Sequence, residues 1–223
     1  MNITYNFKRK NNKDIRINVD LKRIYIPENY IDSILPEWTH LEHHQCKSCP
    51  LNINEHKYCP AALEIYDVSN YFDGIFSFEN VLVTVDTPQR KYEKETDIQT
   101  GLNSLLGLIL ASSGCPILSK FRQMALTHLP FSSVEESIIR TTAFYLLRQH
   151  FMETSGEKAD YDLQELEDFY SEISKVNYQL NQRVSALTKA DANSNAINAF
   201  FSLSELVRMS LKEQLEEVKH IFL

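Results

Sequence analysis

Four cysteines form the one local pattern in this chain that indicates defined chemistry. Cys46, Cys49 and Cys59 stand close together, and Cys115 follows much later in the chain. The C-x-x-C spacing of Cys46 and Cys49 lets two sulfur atoms face one point on a tight turn. Thiolates at such a point are ligands for zinc or for an iron–sulfur cluster. The pattern therefore predicts one metal site that all four cysteines share.

Three of these cysteines stand directly before a proline, and for Cys59 and Cys115 that proline is expected to open a helix. Pro60 follows Cys59, and Pro116 follows Cys115. Proline suits the first position of a helix, because its missing N–H group would be unpaired there in any case. We therefore expect Cys59 and Cys115 to be helix N-caps. The positive end of a helix lowers the pKa of a thiol, so both positions would favour an anionic metal–thiolate centre.

The identity of the metal stays open at this point. Zinc held by four cysteines, or by three cysteines and a histidine, is the commonest structural arrangement. Zinc ribbons usually have two C-x-x-C pairs, however, and this chain has one. One pair with isolated cysteines, some followed by proline, also suits a [4Fe–4S] cluster. The third possibility is that the thiols bind no metal.

The fourth ligand also has alternatives. A buried free thiol would explain Cys115 by itself, since unpaired cysteines are among the most buried residues. In that case His44, His43 or His40 could complete the site. Solvated loop positions are the simpler explanation of these histidines, so one or two of them at most should be ligands.

A catalytic function has weaker support. Arg122, His128 and Arg140 could line a polar cleft, which is the alternative prediction of an enzyme. Cys115 and His128 would lie about 20 Å apart on one straight helix, so they cannot form a catalytic dyad there. The chain also has no glycine-rich phosphate loop, no G-x-S-x-G and no H-E-x-x-H motif. Whether the protein is an enzyme is uncertain, and these absences favour a non-enzymatic protein.

Size and composition predict a globular protein. The 223 residues are 43% hydrophobic and 24% charged, which is enough for one large domain or two small ones. The net charge of −7 argues against a nucleic-acid partner. No apolar run is long enough to cross a membrane, and the N-terminus lacks the features of a signal peptide. We therefore expect a cytoplasmic protein, in which cysteines are more often thiols or ligands than disulfides.

The first part of the chain, residues 1–95, is predicted to be two β-hairpins around an irregular cysteine-rich segment. Apolar and polar residues alternate over 3–7 and 15–19, and again over 81–85, as in half-buried strands. Residues 24–27 could extend the first hairpin. Trp38 should anchor the cysteine-rich segment to the core, and a helix should run from Pro60 to about Phe72.

The second part, residues 96–223, is predicted to be mostly helical and to pack on the first part as one integrated domain. Thr96 and Gln99 fit a capping box that starts a buried helix. A second helix should begin at Pro116, and Ser132 or Ser133 should cap a third. Apolar residues spaced three and four apart from Leu166 onward predict a long helical hairpin, packed internally or forming a homodimer. The predicted class is α+β.

Several short segments together resemble an uncharacterised bacterial family, a domain of unknown function. They are Pro36-Glu37-Trp38-Thr39, His44-x-Cys46-x-x-Cys49-Pro50-Leu51, Cys59-Pro60-Ala61-Ala62, Ser113-Gly114-Cys115-Pro116 and His128-Leu129-Pro130-Phe131, with a glycine- and leucine-rich stretch over 99–108. The resemblance covers nearly the whole chain. It implies a bacterial cytoplasmic protein and brings no activity, substrate or cofactor.

The function that the sequence favours is therefore metal binding. Cys46, Cys49, Cys59 and Cys115 come from both parts of the chain, so a bound metal would join them and add folding energy. We expect zinc, in a binding or regulatory module with a possible protein partner. An iron–sulfur redox or sensor protein is the first alternative, and the enzyme with a polar cleft is the second.

Overall fold

The antiparallel sheet consists of two hairpins that meet along their inner strands. The computed structural model describes residues 1–10, 12–22, 35–184 and 211–223. Its strands are β1 (Asn2–Arg9), β2 (Ile15–Asp20), β3 (Asn80–Asp86) and β4 (Lys91–Asp97), in the order β2-β1-β3-β4. The α+β class and both predicted hairpins are confirmed.

One face of this sheet is apolar because the strands follow the predicted alternation. Tyr5 of β1 pairs with Ile17 of β2 on one side and with Val85 of β3 on the other, and all three are buried. The opposite face is polar, where Thr4 Oγ1 donates a hydrogen bond of 2.7 Å to Asn18 Oδ1. The register therefore turns one complete face toward the helices.

Helix α2 (Ile98–Ser112) covers the apolar face of the sheet and is largely buried, as its leucine-rich sequence predicts. The predicted capping box at Thr96 is wrong. Thr96 belongs to β4, and Asp97 is the N-cap, accepting a 2.7 Å hydrogen bond from the backbone N–H of Thr100. A carboxylate suits this position, since it also interacts favourably with the positive helix end.

The cysteine-rich segment lies between the first hairpin and helix α1 (Pro60–Ser69). It begins with a short 3-10 helix, Glu37–Thr39. Trp38 in this turn is buried in the main core and packs edge-on against Tyr66 of α1, with ring centroids 6.1 Å apart. The predicted anchoring role of Trp38 is therefore confirmed.

The chain beyond α2 departs from the prediction of one helix starting at Pro116. A turn follows Pro116, then a 3-10 helix (Leu118–Phe121) and the short α3 (Arg122–Leu126). Helix α4 (Val134–Thr154) has the predicted capping box. Ser133 Oγ accepts from the N–H of Glu136, and the Glu136 carboxylate accepts from the N–H of Ser133.

Helices α5 (Gln164–Val184) and α6 (Leu211–Val218) end the described chain, followed by a 3-10 turn, Lys219–Ile221. The apolar seam of α5 is buried, and α6 packs against α4. The predicted turn of the helical hairpin and the predicted extension over 24–27 lie outside the described residues. No helix in the described ranges has both the length and the apolar character needed to cross a membrane.

Candidate metal centre

Cys46 and Cys49 lie on a tight turn, as their spacing predicts. The backbone N–H of Cys49 donates a 3.0 Å hydrogen bond to the carbonyl of Cys46, which closes the turn. The side-chain amide of Gln45 donates to the carbonyl of Leu51 at 3.0 Å and holds the two ends of the loop together. Both thiols are partly exposed and pack against the main core.

Cys59 is the N-cap of α1, and Pro60 takes the first position of that helix, as predicted. The Cys59 backbone N–H donates to the carbonyl of Thr39 at 2.8 Å, which fixes the helix start against the segment that carries Trp38. The neutral thiol makes no capping hydrogen bond. The N–H groups of Ala61 and Ala62 nevertheless act to lower its pKa, so the helix start favours the thiolate.

Cys115 is not the N-cap of a helix, so that part of the prediction is wrong. Gly114 before it has a positive φ of 77°, which ends α2 and turns the chain. The carbonyl of Cys115 accepts from the N–H of Ser119 at 2.9 Å. The N–H groups of Ile117 and Leu118 act to lower the pKa of its thiol. The turn after Cys115 therefore provides the N–H donors that were expected from the N-terminus of a helix.

The fold places the four cysteines near enough for their charges to interact, and we call this set the thiol cluster. In every pair of the four, a negative charge on one sulfur raises the pKa of another. Burial is the largest effect: it raises the pKa of Cys46 to about 12, that of Cys115 to about 11, and that of Cys59 as well. All three are therefore neutral thiols at pH 7 unless a cation joins them.

The donor set of the thiol cluster suits a soft or borderline metal ion, since four sulfur atoms satisfy a tetrahedral zinc site or a cubane cluster. Across the part of the chain that the structure describes, no three Cys, His, Asp or Glu side chains are already arranged to hold a metal ion. The sulfur atoms would therefore have to move closer together when a metal binds.

The histidines near the cysteines have other contacts. His43 and His44 pack edge to face at 4.8 Å, and the His43 Nδ1 lies 3.8 Å from the carboxylate of Glu37. His40 packs against the ring of Tyr58, with centroids 5.1 Å apart. His44 is exposed and has a positive φ of 47°. A histidine as fourth ligand stays a prediction, as does the choice of Cys115.

Arg183 also belongs to the site, and no sequence pattern identifies it. Its side chain is 1% exposed. Its guanidinium donates hydrogen bonds to the carbonyls of Trp38 at 2.9 Å, His40 at 2.5 Å and Leu41 at 2.8 Å. Its Nε–H has no acceptor among the described residues. The Arg183 charge acts to lower the pKa of Cys46 and of Cys59. The only sequence signal is a basic residue beside the apolar seam of α5.

The three residues of the predicted polar cleft do not all meet. Arg122 donates to the carbonyl of Leu21 at 2.5 Å and lies apart. His128 and Arg140 line one cavity between α2, α3 and α4. Of the three residues predicted to line the cleft, His128 and Arg140 share a cavity and Arg122 does not.

Comparisons with known proteins identify a family and no characterised relative. A search of curated proteins gives no significant match. A search of solved structures gives none either. The family model described as a domain of unknown function (DUF6901) matches residues 1–223, which is the whole chain, and the chain therefore belongs to that family.

Proposed function

We propose that the thiol cluster is a structural metal centre, with Cys46, Cys49, Cys59 and Cys115 as its ligands. The observation that carries this proposal is the convergence of the four thiols beside the buried cation of Arg183. Four cysteines gathered from three separate segments are hard to explain by packing alone. The bound metal would supply bonds between those segments and no reaction of its own.

The charges support an anionic centre. Four thiolates around one zinc ion carry a net negative charge, and burying that charge is costly unless a cation lies nearby. Arg183 provides such a cation, and no carboxylate within the described residues forms an ion pair with it. The free Nε–H of Arg183 could donate to a ligand sulfur. Besides its hydrogen bonds to backbone carbonyls, Arg183 would therefore stabilise thiolates in an anionic centre.

The centre would add covalent links between three segments that already pack in one core. Cys46 and Cys49 belong to an irregular loop, Cys59 to the start of α1, and Cys115 to the turn after α2. A metal that binds the folded site and not the unfolded chain adds its binding free energy to the stability of the fold. The protein would then act as a binding or regulatory module whose loop is fixed by the metal.

A [4Fe–4S] cluster is the second candidate for the same four ligands. The observation that favours it is the set of backbone N–H groups beside the sulfur atoms of Cys59 and Cys115. Such donors and a nearby cation tune the reduction potential of iron–sulfur clusters. The protein would then be a redox or sensor protein. Zinc and iron–sulfur binding predict different colours, so one preparation decides between them.

The experiment is metal and sulfide analysis with a visible absorption spectrum, on protein purified without oxygen. We expect stoichiometric zinc and a colourless solution, whereas a brown solution with equal iron and sulfide would indicate the cluster. Cys46→Ser and Cys115→Ser should lose the metal and melt at a lower temperature.

Two further variants serve as controls. Ser48→Ala changes an exposed residue inside the C-x-x-C turn and should keep both metal and melting temperature. His44→Ala tests the alternative fourth ligand and should also keep the metal. If the wild-type protein contains no metal, or if both cysteine variants keep it, the proposal is wrong.

A further inference from the structure

A second site lies away from the thiol cluster. A cavity of about 490 Å³ opens between α2, α3 and the start of α4, and none of the four cysteines is among its described lining residues. This volume is in the range of small-molecule sites. We call it the α2–α4 cavity.

The walls of the α2–α4 cavity are mainly apolar. Leu108 of α2, Phe121 before α3 and Ile173 of α5 contribute to them. Leu108 and Ile173 are buried members of the main core. A ligand with an apolar body could therefore replace water along these walls with a favourable free energy.

The charged groups of the cavity are all positive. Lys94 and Arg140 line it, and its described lining contains no Asp or Glu. Lys94 stands opposite Val83 on the helix-facing side of β4, so its neighbours Glu93 and Glu95 point to the other side of the sheet. Its ammonium group lies 5.6 Å from the ring centre of Phe131.

Arg140 is held in place by backbone carbonyls and not by an acid. Its Nη2 donates to the carbonyls of Thr127 at 2.9 Å and of Met124 at 3.2 Å. Glu136, one turn earlier on α4, uses its carboxylate to accept the N–H of Ser133. Neither Lys94 nor Arg140 forms an ion pair within the described ranges, although the Glu136 carboxylate lies near enough to offset part of the Arg140 charge. The described lining therefore keeps a net positive charge.

The remaining polar groups are neutral. Tyr5 lies between Ser104 and His128, with its hydroxyl 2.8 Å from the Ser104 Oγ and 2.6 Å from the His128 Nε2. Burial lowers the pKa of His128 to about 4, so the imidazole is neutral at pH 7. The buried Oδ1 of Asn103, on the same wall, has no donor among the described residues. This acceptor needs a donor such as a water molecule, and a carboxylate would not supply one.

We propose that the α2–α4 cavity binds a small organic acid with an apolar body, whose acidic group lies beside Lys94 and Arg140. The apolar walls contact the apolar part of the ligand, and the two cations favour a negatively charged ligand. This site is independent of the thiol cluster, so its failure or success says nothing about metal binding.

The test is isothermal titration calorimetry with octanoate, compared with 1-octanol and octylamine, which share its apolar chain and differ in charge. Octanoate should bind, 1-octanol more weakly and octylamine not measurably. Lys94→Gln and Arg140→Gln should each weaken octanoate binding about tenfold, because each removes a charge-assisted contact. Lys91→Gln, an exposed lysine on the same strand, is the matched control and should bind as the wild type does.

Several results would overturn the proposal. They are no heat of binding at millimolar octanoate, equal binding of the three compounds, or the same loss in Lys91→Gln as in Lys94→Gln. Lys94 is exposed on an edge strand, so Lys94→Gln keeps the test valid even where Arg140→Gln disturbs the end of α3.

Discussion

Arg183 on α5 donates a 2.9 Å hydrogen bond to the backbone carbonyl of Trp38, a residue 145 positions earlier. The same guanidinium also satisfies the carbonyls of His40 and Leu41. An irregular buried segment has no helix or sheet partners for its carbonyls, so it needs donors from elsewhere. Arg183 supplies them with one side chain and keeps its charge beside the thiols of Cys46 and Cys59.

Replacing Arg183 by methionine should lower the free energy of unfolding by about 3 kcal/mol, because the buried carbonyls of Trp38 and Leu41 lose their guanidinium donors. The carbonyl of His40 keeps only its contact with the N–H of His43, at 3.3 Å. Chemical denaturation measures this change. Arg148→Met, at an exposed position on α4, is the control and should stay within about 0.5 kcal/mol of the wild type. Equal midpoints for the two variants would show that Arg183 does not hold the loop.

His128 should make the protein less stable in mild acid. The folded protein keeps the imidazole neutral to about pH 4, whereas its ordinary pKa is 6.5. Between these values the unfolded chain binds more protons, so the free energy of unfolding falls as the pH drops from 6.5 to 4. The full effect is up to about 3 kcal/mol.

Urea denaturation at a series of pH values measures this dependence. Carboxylates also titrate in the window, so the comparison is with His128→Gln, which should show a flatter pH profile than the wild type. His150→Gln changes an exposed histidine and should keep the wild-type slope. A His128→Gln profile parallel to the wild type would contradict the assignment.

Gly101 lets α2 approach the sheet. A Cβ atom at this position would lie 2.5 Å from the Phe7 Cε1 and 2.9 Å from the Val83 Cγ2, both in the buried face of the sheet. Gly101→Ala should therefore destabilise the fold by about 1–3 kcal/mol, although alanine is the better helix former. Gly107→Ala, on the same helix beside the α2–α4 cavity, is the control. A gain in thermal stability for Gly101→Ala would show that the contact is not tight.

The capping box of α4 gives a smaller and cleaner test. Ser133→Ala removes the oxygen that accepts the Glu136 N–H and should cost about 1 kcal/mol in thermal or chemical denaturation. Ser132→Ala, one position earlier, removes only a 3.2 Å contact with Ser137 and should cost less than half of that. The opposite order would mean that Ser132 is the effective cap.

Much of the fold is predictable because its signals are local. The strands alternate with period two, so β1, β2 and β3 bury the expected side chains. At the start of α2 the signal is ambiguous, since Thr96 and Asp97 are both good caps. In the structure, pairing of Lys94 with Val83 and of Thr96 with Val81 keeps Thr96 in β4 and leaves Asp97 as the cap.

The sequence predicts the four cysteines of the thiol cluster but not the groups around them, and their role as metal ligands stays a prediction. Spacing and prolines select the four cysteines, and Pro60 correctly marks the start of α1. Arg183 could not be found, because its partners are backbone carbonyls, which have no sequence signature, and lie far away in the chain. The same holds for Lys94 and Arg140, which line one cavity only in the folded chain.

The long sequence separation between Arg183 and the carbonyls that it contacts also has a consequence for the order in which the fold forms. All four strands and α2 end by Ser112, so the sheet and its covering helix can form early while the chain is still being synthesised. The loop that carries Cys46 and Cys49 receives its hydrogen-bond donors only after Arg183 has left the ribosome. The proposed metal would therefore meet a fully hydrogen-bonded loop only after α5 has been synthesised and has packed against it.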